Sequence, residues 1–204
     1  MVHTAQHIRS ALRTGHLESA PFPHLRFSNL LPEGTALGLA DLDLSQVPGG
    51  AMQEKIYFSA DVQRQLPLCA AVASAFQNAE TVFTLEGLLD VSLEGMLLRI
   101  QYAREPINKS RKPHRGRKGK KLNLQLYLSK DLDDGTDLFD GSDHHVVTVQ
   151  RLFNHGIACV VGTKSWHDFR ERSLKAQRLS LNISYVVADW PILGELSFPN
   201  SPVG

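Results

Sequence analysis

Cysteine is scarce in this chain, and so is net charge. Two cysteines, Cys69 and Cys159, stand among 204 residues, too few for a disulfide-stapled scaffold. Both lie in apolar runs, "LPLCAAVASAF" and "GIACVVG", and are expected to be buried thiols that behave as small hydrophobes. No apolar run is long enough to span a bilayer, and the N-terminal residues do not read as a signal peptide. A protein of the reducing cytoplasm, with no membrane partner, is expected. The 22 Lys and Arg nearly cancel the 21 Asp and Glu, leaving a formal charge of +1. Binding to nucleic acid through overall charge is thereby excluded, and any basic effect must be local. Hydrophobic residues make up 42% and charged residues 21% of the chain, an ordinary globular balance. The length fits a single domain over residues 1–204.

What is present falls into two halves: a helical layer over about 1–94, and strands over about 95–190, with a frayed tail at 191–204. In the first half, Ile8, Leu12 and Leu17 are near helical spacing, with Thr4 as an N-cap. His24–Phe27 reads as a short strand. Residues 59–80 read as a helix capped by Ser59 and restarted at Pro67, and a short helix or turn follows. After residue 95 the pattern changes. "GMLLRIQYARE" reads as a strand, and in "KLNLQLYLS" Leu122, Leu124, Leu126 and Leu128 face one way while Asn123, Gln125 and Tyr127 face the other. Asp134-Gly135 carries turn chemistry. "HHVVTVQRLF", "GIACVVG" and "QRLSLNISYVV" complete five or six antiparallel strands. This order predicts an α+β domain built around a β-sandwich or jelly roll.

The chemistry gathers around "KSRKPHRGRKGKKLNLQLYL", where His114 stands among eight Lys or Arg in residues 109–121. A nucleic-acid-binding module would explain the basic run through phosphate contacts. It lacks the interleaved aromatics of a stacking platform, however, and gives no role to His167, 53 residues after His114, or to Arg178 beyond it. Arg178 and Ser180 are two apart on a strand and project to one face. A guanidinium beside a hydroxyl suits one carboxylate, and two imidazoles suit a borderline divalent metal. Among the other histidines, His3, His7, His16 and His24 are expected at the surface or in caps. His144 and His145 point to opposite faces of a strand, and His155 sits in a turn. Trp166 is expected to pack at the barrel edge, Asp168 to orient His167, and Asn182 and Gln125 to face the interior.

These pieces, "PFPHLRFSNLLPEG", "LRIQYAREPINKSRKPHRG", "KLNLQLYLS", "DGTDL", "SWHDF" and "RLSLNISY", stand in an order that resembles the iron(II)/2-oxoglutarate-dependent oxygenases of the prolyl-hydroxylase-like group, over roughly residues 20–190. The resemblance implies a double-stranded β-helix, a distorted, cupin-like jelly roll with flanking helices. It implies that His114 and His167 ligate Fe(II), that Arg178 and Ser180 hold the C5 carboxylate of 2-oxoglutarate, and that Tyr102 lines the pocket. O2 would be the co-substrate.

One position departs from that pattern. The family's usual His-x-Asp supplies the carboxylate of a facial triad, and here the aspartate position is Gly116, which has no ligating atom. His-x-Gly resembles the halogenase variant, in which chloride or bromide occupies the vacant position and is transferred to an unactivated carbon. A hydroxylase working with two histidines, and a degenerate oxygenase, are the alternatives. In the functional reading of the basic loop, Lys109, Arg111, Arg115, Arg117 and Lys118 attract an anionic small molecule such as a nucleotide. An acidic carrier protein bearing the substrate is the other partner that fits, and a solvated loop is the bland reading.

Overall fold

The computed structural model of the chain describes residues 2–45, 47, 54–105, 114, 117–130, 133–141, 144–168 and 178–204. Its first half alternates helix and short strand: α1 (Val2–Arg13), β1 (His16–Glu18), β2 (His24–Phe27), α2 (Glu33–Ala40), β3 (Lys55–Tyr57), α3 (Ala60–Gln65), α4 (Pro67–Gln77) and α5 (Ala79–Leu89). The caps follow local chemistry. The Ser59 hydroxyl accepts from the Val62 amide, and Pro67 opens α4, where its missing N–H has no helical partner to lose. Asn78 accepts from the Thr81 amide at the start of α5. Thr4 is not a cap, because α1 begins before it. Leu17 belongs to β1 rather than the helix and is 61% exposed.

Seven further strands follow: β4 (Leu97–Glu105), β5 (Lys120–Tyr127), β6 (Asp133–Asp140), β7 (His144–Arg151), β8 (Gly156–Val160), β9 (Trp166–Asp168) and β10 (Arg178–Val186). They form two antiparallel sheets together with the first three: β1-β2-β8-β5-β10-β4-β3, and β7-β6-β9. The early strands therefore close both edges of the large sheet. The expected split into a helical layer and a later jelly roll is corrected on this point.

The faces of the large sheet divide the molecule. Leu122, Leu124, Leu126 and Leu128 share a core with Leu98, Ile100, Leu181 and Ile183 and with Ile8, Leu12, Phe76 and Leu85 of the helices. The opposite face looks into the small sheet. There Ile157 and Cys159 pack on Leu138 and Val149, and the Tyr127 hydroxyl hydrogen bonds to Thr136 Oγ1 at 2.8 Å. Two facing antiparallel sheets with helices on one flank are the double-stranded β-helix and the α+β class that the sequence predicts.

Asp134-Gly135 is not a turn. It lies inside β6, at a register shift between Asp133 and Thr136. Gly135 has φ +102°, and a Cβ there would stand 2.2 Å from the Val149 carbonyl oxygen. Bulges and turns both use positive φ, so the same residue types signal either. The C-terminal residues are packed rather than frayed: Val203 is buried, its amide donates to Met96 O and its carbonyl accepts from Gly95 N. Among the described residues no helix is long and apolar enough to cross a membrane.

Candidate functional site

His114 and His167 are opposite partners in an isolated antiparallel bridge. His114 N donates to His167 O at 3.2 Å, and His167 N donates to His114 O at 3.0 Å. Residues directly opposite one another send their side chains to the same side, and the two imidazole centroids lie 4.9 Å apart with a 50° tilt. His167 is also opposite Leu138, whose side chain packs in the interior between the sheets. By register the pair projects to the Leu138 side of the small sheet, where His167 is half-buried and His114 is exposed. His167 Nδ1 is 2.9 Å from the Ser165 carbonyl. A carbonyl only accepts, so Nδ1 carries the proton and Nε2 is the basic nitrogen, the arrangement a ligating imidazole needs. Ser165 is itself pinned, its hydroxyl bonded to the amide and carbonyl of Gly162. No group of three His, Cys, Asp or Glu that could hold a metal occurs among the described residues. The donor set available there is two imidazoles, which fits a metal that draws its remaining ligands from a chelating co-substrate.

Arg178 and Ser180 open β10 with their side chains on the interior face, 3% and 2% exposed. Ser180 stands opposite Tyr127, and Asn182 opposite Gln125, so the expected inward direction of Asn182 and Gln125 holds. The Asn182 amide approaches Ser180 Oγ at 3.4 Å. Arg151, at the end of β7 and 3% exposed, sets its guanidinium carbon 5.2 Å from the Tyr127 ring centroid. A buried arginine next to serine and tyrosine hydroxyls is an environment that suits a carboxylate.

Tyr102 is not part of it. Tyr102 is opposite Leu181 and Ile56, on the helix face, where its hydroxyl donates to Leu39 O at 3.1 Å and burial raises its pKa. The interior tyrosine is Tyr127. The alternation in "KLNLQLYLS" already turns Tyr127 away from the leucines, so that pattern was the signal for it. Arg151 had no comparable signal, because it stands at the end of a strand whose facing the sequence does not fix.

The basic loop is only partly in view. Arg111, Arg115 and Gly116 lie outside the described residues, as does the side chain of Asp168. Lys118 is exposed. Arg117 stacks on Trp190, with Cζ 4.8 Å from the ring centroid. Of the other histidines, His24 is not at the surface but fully buried, with Nδ1 bonded to Phe22 O. His145 Nε2 lies 3.0 Å from Thr148 Oγ1 and 3.2 Å from buried Asp137, a structural role, and His144 is exposed. Burial pushes both thiols up to about 12, so neither cysteine is a nucleophile.

No family model matches the chain, and no curated protein matches it. Solved structures do. A prolyl-4-hydroxylase from Pseudomonas putida is similar at 15% identity with a TM-score of 0.61, over 90% of this chain and 98% of that one. HygX from Streptomyces hygroscopicus, solved with nickel and 2-oxoglutarate bound, is similar at 10% identity and a TM-score of 0.57, over 80% and 82%. A prolyl hydroxylase from Trichoplax adhaerens, in complex with a hypoxia inducible factor oxygen degradation domain peptide fragment, gives 12% identity and a TM-score of 0.54, over 91% and 90%. At these identities the likeness establishes the fold, the double-stranded β-helix that these structures share with the chain.

Proposed function

We propose that this chain is an iron(II)/2-oxoglutarate-dependent oxygenase with a two-histidine metal site. The observation that supports the proposal is the pair His114 and His167, opposite one another on one bridge with their rings 4.9 Å apart, in a fold whose large sheet carries buried Arg178. In this reading His114 and His167 ligate Fe(II), while Arg178 and Ser180 hold the C5 carboxylate of 2-oxoglutarate with Tyr127 alongside. Together the metal, 2-oxoglutarate and O2 would supply the oxidant for an unactivated C–H bond.

The chain's own groups have separate tasks. The Ser165 carbonyl keeps the proton of His167 on Nδ1 and so aims Nε2. Arg178 supplies a fixed positive charge in a buried setting, where a carboxylate gains most from it. Leu138, Val149, Ile157 and Cys159 give the interior a dry floor, which excludes water from the reacting carbon.

Gly116 supports a finer reading. With no side-chain ligand at that position, a metal held by the two histidines would have room for chloride or bromide, and the product in this reading would be a halogenated small molecule, anionic in view of the basic loop. In the second reading, water fills the position and the product is an alcohol. Anaerobic titration with Fe(II) and 2-oxoglutarate tests both through the visible metal-to-ligand charge-transfer band. The band is expected to form, to shift with chloride, and to vanish in His114→Ala. Gly116→Asp is expected to abolish the chloride shift. A band indifferent to chloride leaves the hydroxylase, and no band sinks the oxygenase.

A further inference from the structure

The interior face carries charges that neither iron ligation nor 2-oxoglutarate binding uses. Strict alternation along β5 would turn Lys121 inward and Lys120 toward the helices. Instead, Tyr185 pairs with Leu122 and Val186 with Lys120, so Lys121 is the extra residue of a bulge. Lys120 takes the inward direction, its Nζ donating to Asn123 Oδ1 at 3.1 Å, and Lys121 is exposed. Beside it stands Arg99 of β4, whose Nε donates to Glu195 Oε2 at 2.6 Å. The Arg99 guanidinium lies between the rings of Tyr57 and Trp190, 4.7 and 5.4 Å from their centroids. Trp190 Nε1 donates to the same Glu195 oxygen, and Arg117 covers the Trp190 ring.

Among the described residues Glu195 is the carboxylate near Lys120 and Arg99, and Arg99 already engages it. Asn123 Oδ1 is the hydrogen-bond partner of Lys120 among the described residues, and it also accepts from Ser184 Oγ at 2.8 Å. An ammonium has three donors, and a cation enclosed without a counter-charge is costly. Lys120 is opposite Val186, eight residues along β10 from Arg178, or about 25 Å along the sheet. One small dicarboxylate at Arg178 therefore does not also satisfy Lys120. The Lys120 end is where the chain enters β5 from His114, and where β8, with Val160 opposite Leu122, leaves toward His167.

We propose that Lys120, with Arg117 beside it, is an anion-binding subsite that holds a carboxylate or phosphate group of the molecule being oxidised. The identity of that molecule as substrate rests on the oxygenase reading; the anion site does not. Lys120 is also the group that titrates near neutrality there. Burial, with Arg99 and Arg117, holds it down to about 8 against the opposing pull of Cys159 and Glu195. Cys159 stays a thiol to about 12, and Glu195 is held below the ordinary carboxylate value.

The test is titration of the full chain with inorganic phosphate and, in parallel, with malonate, followed by calorimetry and by tryptophan fluorescence. Saturable binding of at least one anion is expected, and the tighter one names the group. Binding is expected to weaken at least tenfold in Lys120→Met and in Lys120→Gln, to survive in Arg178→Met, and to fade as pH rises through about 8. Unchanged binding in both Lys120 variants, loss in Arg178→Met instead, or no saturable binding would overturn the proposal. Anion binding that depends on Lys120 in a protein with no charge-transfer band would keep the subsite and discard the oxygenase.

Discussion

Arg178 is buried and Lys120 half-buried on one face of one sheet, and their different settings give different predictions. Arg178→Met removes the charge proposed for the far carboxylate of 2-oxoglutarate and should weaken its binding by about 100-fold, or roughly 3 kcal/mol for a lost charged hydrogen bond. Measuring 2-oxoglutarate affinity in the presence of a redox-inert divalent metal checks this. Lys120 bears on stability. Its folded value of about 8 lies below the ordinary 10.5, so between those values the unfolded chain binds more protons and stability rises with pH. Below about 8 the penalty is complete. Lys120→Met should therefore be more stable than the parent at pH 7 by about 2 kcal/mol, with the difference gone above pH 10.5. Urea denaturation at the two pH values measures it, and equal gains at both would refute a charge origin. At this scale the candidate site was partly legible. Residue type and order single out His114, His167, Arg178 and Ser180 as candidates, and alternation turns Tyr127 away from the leucines, whereas Tyr102, expected in the pocket by resemblance, stands on the helix side.

Among the elements, the legible ones had several turns or several alternations. α4 announced itself by Pro67 and β5 by Leu122, Leu124 and Leu126 at period two. β1 and β3 have three residues each, too short for any periodicity, and they join the sheet because its edges need partners. Bulges were illegible for a related reason: an inserted residue breaks the alternation on which facing is read, as at Lys121 in β5 and at Gly135 in β6. β8 has a sharper requirement. A Cβ at Gly156 would stand 1.9 Å from the Gln125 carbonyl oxygen and 2.8 Å from the Phe27 ring. Gly156→Ala should force β8 away from both β5 and β2 and cost roughly 3 kcal/mol, near the upper range for overpacking. A thermal melt against the parent chain tests this, and an unchanged midpoint would mean that the strands slide apart at little cost.

At the scale of the whole molecule, the helix-side core is larger than the interior cluster of Phe22, Leu138, Val149, Ile157 and Cys159. The helix side carries the burden of stability, which in the proposed reading leaves the space between the sheets for ligands. The overall class was readable because strand-rich and helix-rich stretches differ in period. The closure of the sheet edges by early strands was not, since it joins residues far apart in sequence. Metal and 2-oxoglutarate, each binding the folded chain alone, should raise the melting temperature. At 100 times Kd the gain is about 2.7 kcal/mol, or roughly 5–10 °C for a chain of this size, and the 2-oxoglutarate part should be absent in Arg178→Met. The bridge between His114 and His167 has one more consequence. Its two backbone hydrogen bonds set the imidazole spacing in the free chain, so in the proposed reading a divalent ion would meet a preformed pair of ligands. Once bound, that ion would tie the ends of a 53-residue loop, acting on the unfolded ensemble as a removable staple worth about 4 kcal/mol if its closure entropy resembles that of a covalent cross-link.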